Sequence, residues 1–354
     1  MDASAETVPA RLLAWYDAHA RSLPWRSPPG TPPPEPYRVW LSEVMLQQTT
    51  TAAVAPYYTR FLERWPTVEA LAGADDAEVM AAWAGLGYYA RARNLLACAR
   101  AVAARGGRFP ETEAELRALP GLGAYTAAAV AAIAFGRPVA VVDANVERVT
   151  ARLYALAEPL PQGRGAIRAR VEALTPLDRP GDFAQAMMDL GATLCTPRAP
   201  RCIVCPLSDL CAGRVAGAEQ FPVKAARKAR PTRTGQAFWI ERNRSVWLVT
   251  RPARGMLGGM RALPDDGWAA RRDGSSRPPL AGAWAGAGTV RHSFSHFDLE
   301  LQLMLYSGND CSRLGSTGEW WPLDRLDQAG LPTLFAKAAQ LALARTSDRE
   351  NDGD

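Results

Sequence analysis

Four cysteines lie close together in the sequence and could bind a metal centre. Cys195, Cys202, Cys205 and Cys211 follow the spacing C-x6-C-x2-C-x5-C within 17 residues. Four thiolates in so short a segment can form a tetrahedral zinc site or hold a cubane iron–sulfur cluster. A structural zinc site usually combines two C-x2-4-C pairs, whereas this segment has one. The spacing alone therefore leaves zinc and iron–sulfur open.

Two carboxylates are the candidate acid–base groups, because the chain has only three histidines. Glu43 lies within the apolar run WLSEVML (40–46). Most helical glutamates are solvated, but apolar neighbours raise a carboxyl pKa, as a general acid at neutral pH requires. Asp143 follows four small apolar residues at 139–142. That pattern predicts a partly buried helix start, where aspartate is a favoured N-cap.

A glycine-rich segment precedes Asp143 by about twenty residues. The string LPGLGAYTAAA (119–129) predicts a helix end, a tight turn at Gly121 and Gly123, and a new helix. Glycines let a backbone approach a phosphate closely, and the free N–H groups of a helix start favour an anion. A G-x-G sequence alone also marks ordinary helix–helix turns, so the whole string carries the prediction.

The elements that must position these residues fall into two regions. Helical periods interrupted by Pro and Gly predict about ten helices between residues 10 and 215, the first over 10–22. Further on, alternating apolar residues predict strands. The predicted organisation is a helical domain over 1–219, a basic linker over 220–236, an α+β domain over 237–345 with strands at 237–240, 246–249 and 296–306 and a helix at 334–343, and a disordered tail over 346–354.

The positive charge is concentrated in one segment. The formal net charge is +5, and residues 195–235 hold eight Lys/Arg and two Asp/Glu, against 33 and 34 in the rest of the chain. Contacts from basic side chains to phosphate supply most of the sequence-independent affinity for nucleic acid. Arg198 and Arg201, between the first two cysteines of the cluster, are therefore candidate DNA-backbone contacts.

Composition excludes several classes of protein. No apolar run reaches the ~18–20 residues of a membrane span, and the first nine residues lack the basic region of a secretory signal. A cytoplasmic, reducing compartment is expected, where clustered cysteines bind metals more often than they form disulfides. Cys98 and Cys311 then remain as ordinary thiols.

The 6-2-5 spacing of the cysteines resembles the [4Fe–4S] loop of the endonuclease III superfamily of base-excision DNA glycosylases. The resemblance selects an iron–sulfur cluster with a structural role over zinc. The segment 119–129 likewise resembles the superfamily's helix–hairpin–helix, which contacts the DNA backbone through the positions of Gly121 and Gly123.

The string WLSEVMLQQT (40–49) resembles the MutY family, adenine glycosylases that act on adenine mispaired with 8-oxoguanine. In that family the residue matching Glu43 protonates adenine N7, and the one matching Asp143 stabilises the positive charge that develops at the sugar C1′. Tyr125 stands where bifunctional lyases carry a nucleophilic lysine, which implies a monofunctional glycosylase. Tyr125 and Asn145 match positions that assist at the sugar.

The same resemblance implies contacts with DNA and with the lesion. Trp25 and Arg26 match a segment that lines the adenine pocket, and a C-terminal Nudix-like domain would read 8-oxoguanine through Ser295, supported by Phe294 and His296. No Nudix hydrolase box is recognisable. The residues implied to contact DNA near the mispair are Gln47, Gln48, Thr49, Leu86, Gly87 and Tyr88.

The expected protein is therefore an all-α helix–hairpin–helix glycosylase domain with a [4Fe–4S] loop, joined to a C-terminal α+β Nudix-like domain. Its expected partner is duplex DNA with A:8-oxoguanine or A:G mispairs, and it is expected to be a monomer in a bacterial-type cytoplasm, associated with the nucleoid through DNA. Two alternatives are another endonuclease III-type glycosylase, for thymine or oxidised pyrimidines, and a non-catalytic iron–sulfur protein that binds DNA. The string around Glu43 and the presence of both carboxylates favour the adenine glycosylase over both alternatives.

Overall fold

The computed structural model describes residues 3–225, 230–252, 255–294, 296–308, 310–315 and 318–351. The chain divides into two compact units, Met1–Ala226 and Arg227–Asp354. Each unit has its own hydrophobic core. No described helix has the length and apolar character that a membrane span requires.

The first unit is all-helical, as predicted, and no strand forms among its described residues. The predicted first helix begins earlier than residue 10 and ends at His19 rather than at residue 22. The helices are α1 Ala3–His19, α2 Pro36–Met45, α3 Thr51–Arg64, α4 Val68–Ala72, α5 Asp76–Trp83, α6 Ala90–Ala103, α7 Glu113–Arg117, α8 Ala124–Phe135, α9 Ala144–Leu153, α10 Arg164–Leu174, α11 Pro180–Thr193 and α12 Ala212–Ala216.

Helix α8 is the centre of this unit. It is almost entirely apolar, and its residues from Thr126 to Ala134 are all buried. A helix that is apolar on every side must be covered on every side, and α2, α7 and α11 pack against it. Because the turn before α8 contains Gly121 and the loop after it leads to Asp143, this packing fixes both segments relative to α2.

The second unit is α+β, as predicted, with one long helix on a mixed sheet. In that sheet β6 is central, parallel to β1 and antiparallel to β5, and α13 packs against the sheet. A second sheet has the order β2-β3-β4, and β7 also pairs with β3. The elements are β1 Thr232–Trp239, β2 Glu241–Arg242, β3 Ser245–Thr250, β4 Arg261–Ala262, β5 Trp284–Ser293, β6 Asp298–Tyr306, β7 Gly318–Pro322 and α13 Thr333–Asn351.

The predicted strand at 237–240 requires a correction. The strand that pairs with β3 is the short β2, through a turn at Asn243 and Arg244 with positive φ at both residues, the backbone that two-residue hairpins prefer. The residues predicted as the first strand, 237–240, belong mostly to β1, which pairs with β6 in the other sheet.

The predicted linker and tail are also shorter than expected. Phe221 is buried in the core of the first unit, and the backbone N–H of Leu160 donates to the carbonyl of Val223 at 2.8 Å. At the other end β1 already begins at Thr232, and residues 226–229 lie outside the described residues. Helix α13 continues to Asn351 through most of the predicted disordered tail, of which 352–354 are outside the described residues.

Candidate active site and DNA-contacting surface

The predicted catalytic residues meet at one cavity in the first unit. Its volume is about 1130 Å³. The end of α2, the hairpin before α8 and the start of α9 all open onto it. The lining includes Glu43, Tyr125, Asp143 and Asn145 together with Trp25, Arg26, Gln47, Gln48, Thr49, Gly121 and Gly123.

Glu43 is a buried acid that is suited to remain protonated near neutral pH. It is 5% exposed, and its Oε2 has no hydrogen-bond partner in the structure. Burial raises the pKa of Glu43 to about 7, against the opposing effects of a hydrogen bond with Tyr125 and the charge of Arg26. The predicted apolar environment is thus present, and it places the pKa where a general acid works at neutral pH.

Tyr125 is hydrogen-bonded to Glu43 and lies close enough to Asp143 to feel its charge. Burial raises its pKa well above the ordinary value, and the negative charges of Glu43 and Asp143 raise it further. The phenol therefore stays neutral and can donate a hydrogen bond to Glu43.

Asp143 caps α9 and is held in one orientation. Its Oδ1 accepts from the backbone N–H of Val146 at 2.7 Å, and its Oδ2 accepts from Nδ2 of Asn145 at 2.8 Å. The side chain thus combines the predicted N-cap with a place on the cavity wall. A carboxylate fixed in this way can stabilise positive charge without reorganising during the reaction.

A buried ion-pair group beside Glu43 was not found by sequence reasoning. Asp189 on α11 is fully buried and accepts from Nη1 of Arg26 at 2.7 Å and from Nε of Arg21 at 2.6 Å. Burial disfavours the charged form of Arg26, but the hydrogen bond and charge of Asp189 leave its pKa above the ordinary value. Arg26 is separated from Asp189 by 163 positions, so no local pattern could reveal the pair.

Arg148 connects the candidate active site to the four-cysteine segment. Its Nη2 donates to Oδ1 of Asn145 at 2.9 Å and to the carbonyl of Gly191 at 2.8 Å, while its Nε donates to the carbonyl of Cys195 at 2.8 Å. Asn145 is therefore fixed on one side by Arg148 and bonds Asp143 on the other. This link also lacks a sequence signal.

The four cysteines line one small cavity and fit an iron–sulfur cluster. Cys195, Cys202, Cys205 and Cys211 are all free thiols around the same space. Burial raises the pKa of Cys205 to about 11 against a backbone hydrogen bond from Leu207, and the charges of the other three cysteines raise it further. Cysteine binds a metal centre as the thiolate, so cations bound among the four sulfurs would favour the deprotonated form.

Arg152 holds the four-cysteine segment in place through hydrogen bonds from a buried guanidinium. The guanidinium is almost fully buried and donates to the carbonyls of Thr196 at 2.7 Å and Pro197 at 3.0 Å. Its Nη1 also lies 3.4 Å from Sγ of Cys195, a contact of the kind that tunes iron–sulfur clusters. Arg198 and Arg201 are exposed on the same loop.

The turn after α2 carries three of the predicted DNA contacts. Gln47 donates through Nε2 to Oγ1 of Thr126 at 3.1 Å, and Thr49 receives a hydrogen bond from Arg91 at 3.2 Å. Gln48 has a φ of +57°. A non-glycine residue in this region is uncommon and is often part of a functional site.

The loop between α5 and α6 carries the others. Tyr88 has a φ of +50° and is 62% exposed, which suits a side chain that enters a base stack. Gly85 and Gly87 also have positive φ, and a Cβ at Gly85 would meet the hydroxyl of Tyr57. Leu86 is only 7% exposed and packs in the core, so this geometry does not support its predicted contact with DNA.

The hairpin before α8 has the expected shape for backbone contact. Gly121 has a φ of +75°, and a Cβ there would lie 2.6 Å from Cβ of Asn94. Gly123 is the N-cap residue of α8 and offers no side-chain cap, so the first N–H groups of the helix stay open. Both glycines are exposed.

In the second unit two of the predicted lesion-reading residues, Phe294 and His296, lie in the β5–β6 hairpin loop. Phe294 stacks on Phe297 with ring centroids 4.9 Å apart, and its backbone N–H donates to the carbonyl of Phe297 at 2.9 Å. His296 is exposed. Ser295 lies outside the described residues. The aromatic contacts thus anchor the base of this loop.

Three family models match this chain. Residues 41–175 match the HhH-GPD superfamily of base excision DNA repair proteins, 195–211 match the iron–sulfur binding domain of endonuclease III, and 236–341 match a NUDIX domain. With the cavity described above, they define a base-excision DNA glycosylase that acts on DNA and carries a [4Fe–4S] cluster and a Nudix-like domain.

Curated relatives narrow this class. The adenine DNA glycosylase of Homo sapiens is 36% identical over 393 residues, covering 92% of this chain and 72% of that protein. The adenine DNA glycosylase of Mycolicibacterium smegmatis is 43% identical over 210 residues, covering 59% of this chain and 70% of that protein. This chain belongs to the adenine DNA glycosylase family, whose members are monofunctional N-glycosylases of base excision repair.

Solved structures support the fold of the helical unit. A thermostable thymine-DNA glycosylase is 31% identical, with a TM-score of 0.54, and covers 60% of this chain and 97% of its own. A trapped endonuclease III–DNA covalent intermediate is 24% identical with a TM-score of 0.50 and the same coverage; at this identity it supports the fold alone.

Proposed function

We propose that this chain removes adenine from DNA in which adenine is mispaired with 8-oxoguanine or guanine. The observation that carries the proposal is the buried carboxyl of Glu43, whose Oε2 is unpartnered at the wall of a cavity that Asp143 also lines. A cavity that receives an extruded base needs such a proton donor, because protonation turns adenine into a leaving group.

In the proposed reaction Glu43 donates its proton to N7 of the extruded adenine. The bond between N9 and the sugar C1′ breaks, and its electron pair leaves with the base. Asp143, oriented by Asn145, stabilises the positive charge left on the sugar. Tyr125 hydrogen-bonds Glu43. Water adds to C1′ and gives up a proton to the Glu43 carboxylate, which leaves an abasic site and restores the acid. No lysine stands at the hairpin position that Tyr125 occupies, so no Schiff base forms.

DNA is held, in this proposal, by surfaces of both units. Gly121 and Gly123 receive a phosphate at the open start of α8, and Arg198 and Arg201 contact the backbone beside the cysteine segment. Gln47, Gln48, Thr49, Gly87 and Tyr88 lie at the mispair. Phe294, Ser295 and His296 read 8-oxoguanine from the second unit, which we assign as the lesion-recognition domain. The protein acts as a monomer on nucleoid DNA in a bacterial-type cytoplasm.

The cysteine segment holds the [4Fe–4S] cluster through Cys195, Cys202, Cys205 and Cys211. When bound, the cluster supplies structural organisation to the loop that carries Arg198 and Arg201. Arg148 and Arg152 bind the carbonyls of this loop, so its order also supports Asn145.

A duplex with a single A:8-oxoguanine pair, labelled on the adenine strand, tests the proposal. Incubation with the purified protein followed by alkali should cleave the strand at adenine, with no cleavage before alkali. If the strand remains intact after alkali, the chain is not an adenine glycosylase. Cleavage before alkali would contradict the monofunctional assignment.

A second candidate activity is the removal of thymine opposite guanine. It is favoured by the similarity to a thymine-DNA glycosylase structure, at 31% identity over 60% of this chain. A G:T duplex in the same assay separates the two activities, because each cleaves at a different base.

A further inference from the structure

Arg91 is a buried arginine that the proposed reaction does not use. It is the second residue of α6 and is 8% exposed. Its Nη1 donates to the carbonyl of Met45 at 2.8 Å and to that of Val44 at 3.3 Å. These are the last two residues of α2, where helix carbonyls lack partners within the helix and favour a cation. Arg91 therefore fixes the end of the helix that carries Glu43.

The other terminal nitrogen of Arg91 binds the two segments that face DNA. Its Nη2 donates to the carbonyls of Leu86 at 3.0 Å and Gly87 at 3.3 Å. The same nitrogen donates to Oγ1 of Thr49 at 3.2 Å. One guanidinium thus joins the end of α2 and the turn after it to the loop before α6, which is separated from them in the chain by α3, α4 and α5.

The aromatic surroundings of Arg91 complete this arrangement. The guanidinium carbon lies 5.2 Å from the ring centre of Trp83 and 5.6 Å from that of Tyr88, within the range of cation–π attraction. Trp83 also donates through Nε1 to the carbonyl of Gly87 at 3.0 Å. Gln48, next to Thr49, and Tyr88 both have positive φ. A strained backbone of this kind persists only where its surroundings hold it.

We propose that Arg91 is a positioning residue that couples the insertion of Tyr88 into the base stack to the placement of Glu43. Displacement of the loop at 85–88 when DNA binds is transmitted through Arg91 to the end of α2, two residues from the acid. This inference rests on the proposed function and adds a residue outside its catalytic group. Lysine cannot replace Arg91. Its single ammonium group could bind the carbonyls at the end of α2 or those of the loop at 85–88, whereas the planar guanidinium of arginine binds both sets.

The test compares Arg91→Lys with Arg100→Lys in the full-length protein loaded with its cluster. Arg100 lies on the same helix and binds the carbonyls of Ala72 and Ala74, both at 3.3 Å, away from the loop at 85–88. Single-turnover excision on A:8-oxoguanine DNA should slow by about 10- to 100-fold for Arg91→Lys, the cost of a small misplacement of a reacting group. Arg100→Lys should keep the parent rate at a similar melting temperature. Equal rates for the two variants would overturn the proposal.

Coupling is measured by a cycle with Tyr88→Ala, read by the fluorescence of 2-aminopurine next to the target adenine. Arg91→Lys should slow the rise in fluorescence in the parent protein and change it little in the Tyr88→Ala background. A purely structural role would give the same fold-change in both backgrounds and would refute the coupling. If the Arg91→Lys protein loses its iron or shows no melting transition, Arg91→Gln takes its place in the cycle.

The parent protein distinguishes failure of this inference from failure of the proposed function. If the parent does not excise adenine, the proposed function fails. If the parent is active and the Arg91 variants behave like Arg100→Lys, only the role of Arg91 is wrong.

Discussion

The ionisation of Glu43 determines how the rate of the proposed reaction depends on pH. Because the pKa of Glu43 is raised to about 7, its protonated fraction falls as the pH rises through that value. Single-turnover excision should be nearly constant below pH 7 and fall by about tenfold for each further pH unit. Rates measured across the neutral range by quenched sampling test this, and a rate that stays constant well above pH 7 would show that Glu43 is not the proton donor.

The same raised pKa affects stability. The folded state binds a proton at Glu43 up to about pH 7, whereas the unfolded chain releases it near 4.5. The stabilisation is therefore complete below the unfolded value and lost as the pH rises through 7, by an amount on the order of 3 kcal/mol. Glu43→Gln removes this dependence, so the variant should unfold at higher urea concentration than the parent at pH 8 and differ much less near pH 5. The opposite order at pH 8 would contradict the burial of an ionisable carboxyl.

Asp143 has two roles that substitutions can separate. It caps α9 through the backbone N–H of Val146 and presents its charge to the cavity. Asparagine is also a favoured N-cap, whereas alanine loses the cap at a cost of about 1 kcal/mol. Asp143→Asn should therefore keep the melting temperature and lose most of the excision rate, while Asp143→Ala should lose both. If Asp143→Asn retains the parent rate, charge stabilisation by this residue is excluded.

Among the helices, the close approach of α11 to α9 positions Asn145. A Cβ at Gly191 would lie 2.6 Å from Cβ of Asn145, so Gly191→Ala must push the first turn of α9 away. We expect about 1–3 kcal/mol of destabilisation from this overpacking, with a loss of excision rate larger than the loss of stability explains.

Gly181 on the same helix provides the matched control for that variant. A Cβ at Gly181 would lie 2.7 Å from the carbonyl oxygen of Ala132 on α8, far along α11 from Asn145. Gly181→Ala should destabilise the unit by a similar amount, measured by urea unfolding, with less effect on the excision rate of the folded protein. Equal losses of rate in the two variants would mean that Gly191 affects the site only through stability.

Short-range signals in the sequence account for the elements that were predicted correctly. The periodic apolar residues give the helical unit, and glycines at the turn before α8 adopt the backbone that only glycine adopts freely, as at Gly121. The predicted boundaries of the linker were wrong at both ends, because contacts with residues far away in the sequence determine the structure there. The backbone at Val223 bonds Leu160, and β1 pairs with β6, about 66 positions away.

The candidate site divides in the same way. Residues that lie in distinctive local strings, such as Glu43 and Tyr125, were predicted from the sequence. Asp189, Arg148 and Arg91 were not, because each acts through partners more than forty positions away or through backbone carbonyls, which no residue pattern records. Sequence therefore indicated the proposed reacting groups, and only the fold showed what holds them.

At the scale of the whole molecule, the distribution of charge predicts how DNA affinity responds to salt. The excess of basic residues lies in the segment 195–235, and the rest of the chain is almost neutral. Each phosphate contact releases counterions and contributes about 0.9 to the slope of log affinity against log salt. The double variant Arg198→Ala, Arg201→Ala should therefore lower that slope by about 1.8 in fluorescence anisotropy titrations. Its single-turnover rate at saturating protein should stay near that of the parent, because neither side chain is on the cavity wall.

The single variant Arg105→Ala is the control for charge, because it removes an exposed arginine that lies outside the segment 195–235. A slope unchanged in the double variant, or lowered equally per charge by Arg105→Ala, would show that affinity depends on the net charge and not on its position in the cysteine segment.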